Sequence, residues 1–264
     1  MTSVRFAWVS GLIGFWAVSA MFAGDANAQR GKKSKPACGI KYLPLAEGNS
    51  WTYASVDQSP IKRRGIKMPP PASFTATVIS VKGSSNSATV TLEESYRDEK
   101  KQTTITCDSK GMVVDPQSFF YTGEVGGGIG MTITDIKRSE TTWPGRSGFS
   151  KGGTWREDIV ATVTRAVAPG AKLEKHQAAR FEIERTVTVK GKETATTPMG
   201  EFRRAQLVKL DIEGRATGEG EKSVGMPTAE AKFWFIDKTG VVRVENRFGH
   251  IWELTQTVPP QAAR

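Results

Sequence analysis

The chain has 264 residues and carries 37 basic against 27 acidic side chains, a net charge of +10. Hydrophobic residues make up 38% of it, enough for one large folded domain or two small ones. The two histidines, His176 and His250, and the two cysteines, Cys38 and Cys107, are too few and too scattered for a zinc-like site read from spacing.

Arg5 is the one charge before a neutral, apolar run from Phe6 to Gly24, and Ala26-Asn27-Ala28 follows. That order predicts a secretory signal peptide over residues 1–28, cleaved after Ala28. A periplasmic or secreted location follows from it. The run approaches the ~20 residues of a membrane-spanning helix, but its glycines and serines favour cleavage, and no later stretch is apolar enough to span. The expected product is therefore not transmembrane. A lipid anchor on Cys38 is not expected, because Lys35 stands where a lipoprotein signal wants an apolar residue. Removing residues 1–28 takes away Arg5 and Asp25, one charge of each sign, and leaves the net charge at +10. A basic exported protein meets anionic lipid or envelope polymer rather than nucleic acid.

Residues 29–39 read as a flexible basic arm, with Arg30, Lys32, Lys33, Lys35 and Pro36. An even cysteine count in an oxidising compartment predicts a Cys38–Cys107 disulfide that ties this arm to a strand. Closing so long a loop is worth ~4 kcal/mol in the chain-entropy model. The wide spacing argues against a redox-active pair.

From Ile40 the period is mostly two. Ala88, Val90 and Leu92 alternate with Thr89 and Thr91; Phe181, Ile183, Val187 and Val189 share one face; 229–236 and 241–248 continue the pattern. Turn signals separate the runs at 83–87, Ser109-Lys-Gly111, Lys190-Gly-Lys192 and Lys238-Thr-Gly240. The one helix candidate is Glu174–Ala179, and Trp143-Pro144-Gly145 reads as a turn that exposes its tryptophan. Three stretches read as long irregular loops: 57–72, 123–130 and 214–228. The first carries Lys62, Arg63, Arg64 and Lys67 before three prolines. It is expected to be exposed and mobile, and it is the candidate anionic-surface binding segment.

Two halves share anchors in the same order. Gly48-Asn-Ser-Trp51 answers Gly152-Gly-Thr-Trp155, Val81-Lys-Gly83 answers Val189-Lys-Gly191, and Asp108-Ser-Lys-Gly111 answers Asp237-Lys-Thr-Gly240. The expected organisation is a first β half over 40–150, a second over 151–258 and a tail over 259–264. The fold class is all-β, mainly antiparallel, with little helix: a curved sheet, half-barrel or sandwich, with duplicated halves as one option.

Tyr42-Leu-Pro-Leu45 before Gly48-Asn-Ser-Trp-Thr-Tyr53, Thr197-Pro-Met-Gly-Glu-Phe202, and Phe233-Trp-Phe235 with Gly240-Val-Val-Arg-Val-Glu245 resemble uncharacterised exported bacterial β proteins. That group is akin to curved half-barrels of the lipoprotein-carrier type, and the resemblance implies a concave sheet able to cradle an acyl chain. It supplies no functional residues.

Catalytic signatures are missing from the sequence. There is no H-E-x-x-H and no G-x-S-x-G, and 126–130 lacks the lysine of a phosphate loop. Glu93 and Glu94 are strand neighbours that face opposite ways, and Glu182 and Glu184 read as a wet face. No cofactor or metal is expected. The expected function is that of a non-catalytic, exported β-sheet binding or envelope-structural protein, holding a lipid or acyl ligand or contacting an anionic envelope surface. The alternative is an enzyme acting on cell-wall or sugar polymers, which would need two facing carboxylates ~5–9 Å apart in a cleft.

Overall fold

The computed structural model describes residues 42–56, 71–84, 86–125, 131–165, 178–218, 220 and 222–258. All of them belong to the unit Ser34–Arg264. They form thirteen strands: β1 Ser50–Ser55, β2 Ser73–Gly83, β3 Ala88–Tyr96, β4 Glu99–Cys107, β5 Gly111–Val114, β6 Met131–Arg138, β7 Trp143–Pro144, β8 Thr154–Arg165, β9 Ala178–Thr197, β10 Gly200–Gly218, β11 Val224–Ile236, β12 Gly240–Glu245 and β13 Ile251–Val258. One helical turn, α1 (Phe119–Thr122), follows β5.

The alternation does what period two demands. In β3, Ala88, Val90, Leu92, Glu94 and Tyr96 are buried and the residues between them are not. All thirteen strands join one antiparallel sheet, in the order β6-β8-β9-β10-β11-β12-β13-β1-β2-β3-β4-β5-β7. The all-β, antiparallel expectation therefore holds, as one unclosed sheet rather than a two-sheet sandwich.

The sheet curls on itself. Trp143, on the edge strand β7, packs against Trp155 of β8 and against Phe233 and Phe235 of β11. The core lies inside the curl. Trp51, Tyr53, Phe74, Phe119, Phe120, Phe233, Phe235 and Trp252 are all buried there, and burying each such ring is worth about 2–3 kcal/mol. Buried rings with polar handles find partners: the Trp51 indole donates to the Thr239 carbonyl at 2.6 Å and the Tyr53 hydroxyl to the Val241 carbonyl at 2.8 Å.

The strand order contains two five-stranded meanders, β1–β5 and β8–β12, with β13 inserted between β12 and β1. Their entries match. Gly48 and Gly152 have φ of +83° and +80°, a region open to glycine at little cost. Each donates its amide at 2.9 Å, to Val78 and Val189 respectively, and those valines donate back to Asn49 and Gly153 at 2.8 Å. Trp51 and Trp155 follow at the same offset. Asp108–Gly111 and Asp237–Gly240 turn β4 into β5 and β11 into β12. The bonded equivalent of Val189 is Val78 rather than Val81, so the middle sequence anchor is displaced by three residues. These matches support the duplication.

Several local expectations are corrected. Trp143 is not exposed: it is 1% accessible, and its indole donates to the Phe120 carbonyl at 2.9 Å. Pro144 is tolerated beside it because β7 is an edge strand. The stretch 214–228 is largely strand, the end of β10 and the start of β11, with a register shift between Ile212 and Gly214. Ala178 and Ala179 open β9 instead of closing a helix; Glu174–Gln177 lie outside the described residues.

Candidate functional site

Two buried polar clusters stand out, and both sit where the curl meets itself. The first forms a seam between the sheet's opposite sides. Glu157 on β8 and Arg185 on β9 are fully buried. Glu157 Oε2 accepts from Arg185 Nη1 at 3.0 Å, and its Oε1 accepts from Arg138 Nη1, on β6, at 2.8 Å. Arg138 Nη2 donates to the Val114 carbonyl of β5 at 2.8 Å. The Thr142 hydroxyl, just before β7, donates to Glu157 at 3.1 Å and accepts from the Val114 amide at 3.0 Å and from Arg138 at 3.1 Å. It thereby uses its full hydrogen-bonding capacity. The Arg185 guanidinium lies between rings, 4.6 Å from the Tyr121 centroid and 4.7 Å from that of Trp143. Burial pushes the Tyr121 hydroxyl well above its usual range.

The second cluster seats α1. Phe119, Phe120 and Tyr121 are all buried inside the curl. Ser118 caps the turn, and Glu94 of β3 reaches it: its Oε1 accepts from Ser118 Oγ at 2.6 Å and from the Phe119 amide at 2.9 Å. Lys101, opposite Glu94 on β4, donates to the Gln117 carbonyl at 2.9 Å. Burial raises the Glu94 carboxyl to about 7, against the lowering pull of the Ser118 and Phe119 hydrogen bonds and the Lys101 charge. The far end is tied too. Gly123, at φ +72°, closes the turn, Asn246 donates to its carbonyl at 3.3 Å, and Glu124 pairs with Arg247.

Outside the curl the charges neutralise one another. Arg156 pairs with Asp158 and Glu184, Glu182 with Arg180 and Arg215, and Lys209 with Asp211 and Glu230. Glu182 and Glu184 form the expected wet face, and Glu93 pairs with exposed Lys100 at 2.9 Å.

Of the sequence-predicted site residues, Cys107 is described. It ends β4 and is 6% accessible, and its Sγ is 3.6 Å from the Ala88 carbonyl oxygen. An open groove of about 450 Å³ lies beside it, lined by Lys82, Gly83, Ala88, Thr106 and Asp108 among others. Cys38, Lys62, Arg63, Arg64, Lys67 and His176 lie outside the described residues, as do the signal-peptide, arm and tail segments. Glu94, Glu157 and Arg185 were not singled out by sequence, although all three stand in phase with an apolar face. Among the described residues no cluster of His, Cys, Asp and Glu could hold a metal ion. No helix among them is long and apolar enough to cross a membrane.

No protein-family model and no curated protein matches the chain. Among solved structures, a protein described as a candidate lipoprotein from Parabacteroides distasonis ATCC 8503 is similar over 83% of this chain and 98% of that one, with 17% identity and a TM-score of 0.54. That likeness is one of fold. A candidate exported protein with YmcC-like fold from Bacteroides fragilis NCTC 9343 gives 12% identity and a TM-score of 0.48 over 83% and 99% of the two chains. The hypothetical lipoprotein YmcC of Escherichia coli K12 gives 10% and 0.34 over 82% and 86%.

Proposed function

We propose that the chain is an exported, non-catalytic envelope protein that serves as an interaction module and meets an anionic surface through basic segments outside its sheet. The observation that carries this reading is where the charge sits. The described residues hold 24 of the 37 basic and 22 of the 27 acidic side chains, a net +2. The other 13 basic and 5 acidic residues contribute +8, and Lys62, Arg63, Arg64 and Lys67 are among them. A sheet that neutralises itself, joined to strongly basic segments, fits a partner with a diffuse negative field. The apolar run before Ala26-Asn-Ala28 supports export, as does a fold shared with a protein described as a candidate lipoprotein. The concave side, where a carrier would hold an acyl chain, is filled by the chain's own aromatic residues. Glu94 and Glu157, the carboxylates an enzyme reading would turn to, are each committed to structural hydrogen bonds.

Co-sedimentation with vesicles rich in anionic phospholipid tests the reading. Each basic charge near such a surface is worth ~1 kcal/mol at most, and screening at physiological salt limits the reach to ~8 Å. The protein purified after export should bind at low salt and release as salt rises. Changing Lys62, Arg63, Arg64 and Lys67 to Gln should weaken binding ~10-fold or more. Equal binding by the two proteins at low salt would remove this segment from the account.

A further inference from the structure

We propose that the segment Ser118–Gly123 is a plug whose seating in the curled sheet is governed by the protonation of Glu94, the neutral carboxyl holding it closed and the ionised carboxylate loosening it. This goes beyond the proposed envelope role and does not depend on it. Three observations of geometry carry it. The plug is one helical turn, too short to persist on its own, so it stays only while its anchors hold. Its three aromatic residues occupy the interior that Tyr53, Phe74 and Trp252 also line, so its departure would open apolar space. Its N-terminal anchor is a carboxyl that is 2% accessible and that, among the described residues, makes no ion pair, unlike buried Glu157 with its two arginines.

The groups facing Glu94 are few. Lys101 on β4 favours its charged form, and Asp115 in the β5–α1 connection opposes it. Tyr53 on β1 and Tyr96 on β3 are held neutral by burial and feel Glu94 as a like charge. Ala76 stands opposite on β2. At the plug's other end Glu124 is countered by Arg247, and burial raises its carboxyl as well. Ionising Glu94 thus places a charge in a dry site with one half-buried lysine for compensation, and the hydration it gains on release drives the plug outward.

Native-state hydrogen exchange of the exported protein tests this, with each amide referred to its intrinsic rate at the same pH. A carboxyl that titrates near 7 when seated and near 4.5 when released changes the seated-to-released ratio on the order of 50-fold between pH 5 and pH 8. Protection of the Phe119, Phe120, Tyr121 and Gly123 amides should fall by that factor. At pH 8 it should lie well below that of the slowest β9 and β10 amides. In Glu94→Gln the same amides should show no pH response, which separates Glu94 from Glu124. Protection that is flat with pH in the natural sequence would overturn the proposal, as would plug amides that track the slowest strand amides at both pH values. If Glu94→Gln does not fold, the natural protein's profile decides alone.

Discussion

At the scale of single residues, the informative ones are charges standing where an apolar side chain belongs. Glu157 falls in phase with Trp155, Ile159 and Ala161, Arg185 with Ile183 and Val187, and Glu94 with Leu92 and Tyr96. Removing one member of a buried charge network strands the others without water. Glu157→Ala should therefore cost about 3–5 kcal/mol, read from urea denaturation. Replacing Arg138, Glu157 and Arg185 together by Met, Leu and Met should cost far less. A loss under about 1 kcal/mol for Glu157→Ala would show that the seam is not dry. Glu94 makes a pH-dependent contribution. Its carboxyl titrates at about 7 when folded and near 4.5 otherwise, so between those values the folded chain holds a proton the unfolded chain has released. Stability falls as pH rises through that window, by about 3 kcal/mol in all. Glu94→Gln should match the natural protein near pH 5 and exceed it at pH 8 in thermal melts; the opposite order at pH 8 would refute the assignment. Alternation alone marks these three positions as anomalies, since each puts a charge on the buried side. It does not say that Glu157 and Arg185 meet across strands, because pairing depends on register and register is not written in one strand.

At the scale of elements, strands with strict alternation and short turns were legible, and glycine-rich or mixed segments were not. Lys238-Thr-Gly240 and Ser109-Lys-Gly111 close turns as expected, because glycine in a tight turn has a local cause. The run 214–228 reads as loop for its glycines, yet partner strands on both sides of β10 hold much of it extended, a tertiary override of weak local propensity. Trp143 was misplaced for a similar reason: Pro and Gly after it do signal a turn, but only the curl brings β8 and β11 onto its ring. The plug had no sequence signal beyond a serine before two phenylalanines. Its closure is tested by Gly123→Ala. A side chain there needs a left-handed backbone and meets Val244, so a loss of about 1–3 kcal/mol is expected by chemical denaturation. An unchanged midpoint would mean that the turn relaxes freely.

At the scale of the molecule, the curl is held shut by side chains instead of a strand ladder, and the Cys38–Cys107 disulfide is the remaining covalent expectation. Mass spectrometry of unreduced exported protein should find two hydrogens fewer than the reduced form; two free thiols would sink the pairing. The strand order also makes β13 the bridge between the meanders, with Ser50 opposite Val258 at one end of the β1–β13 ladder and Arg243 opposite Glu253 on the β12 side. Deleting 251–258 should replace one cooperative unfolding transition with a broad or two-step one, visible in calorimetry. A single sharp transition in the truncated chain would show that β12 and β1 can pair directly.

That position of β13 sets a chronology. A ribosome delivers β1 early and its outer partner last, so the first meander must wait with an unsatisfied strand edge while some two hundred residues are made. The second meander is complete but for its neighbour, and the two remain separate bodies until the final strand arrives. The last residues to emerge thus turn two half-built sheets into one, and a chain interrupted before them is left with edges open to pairing with other chains.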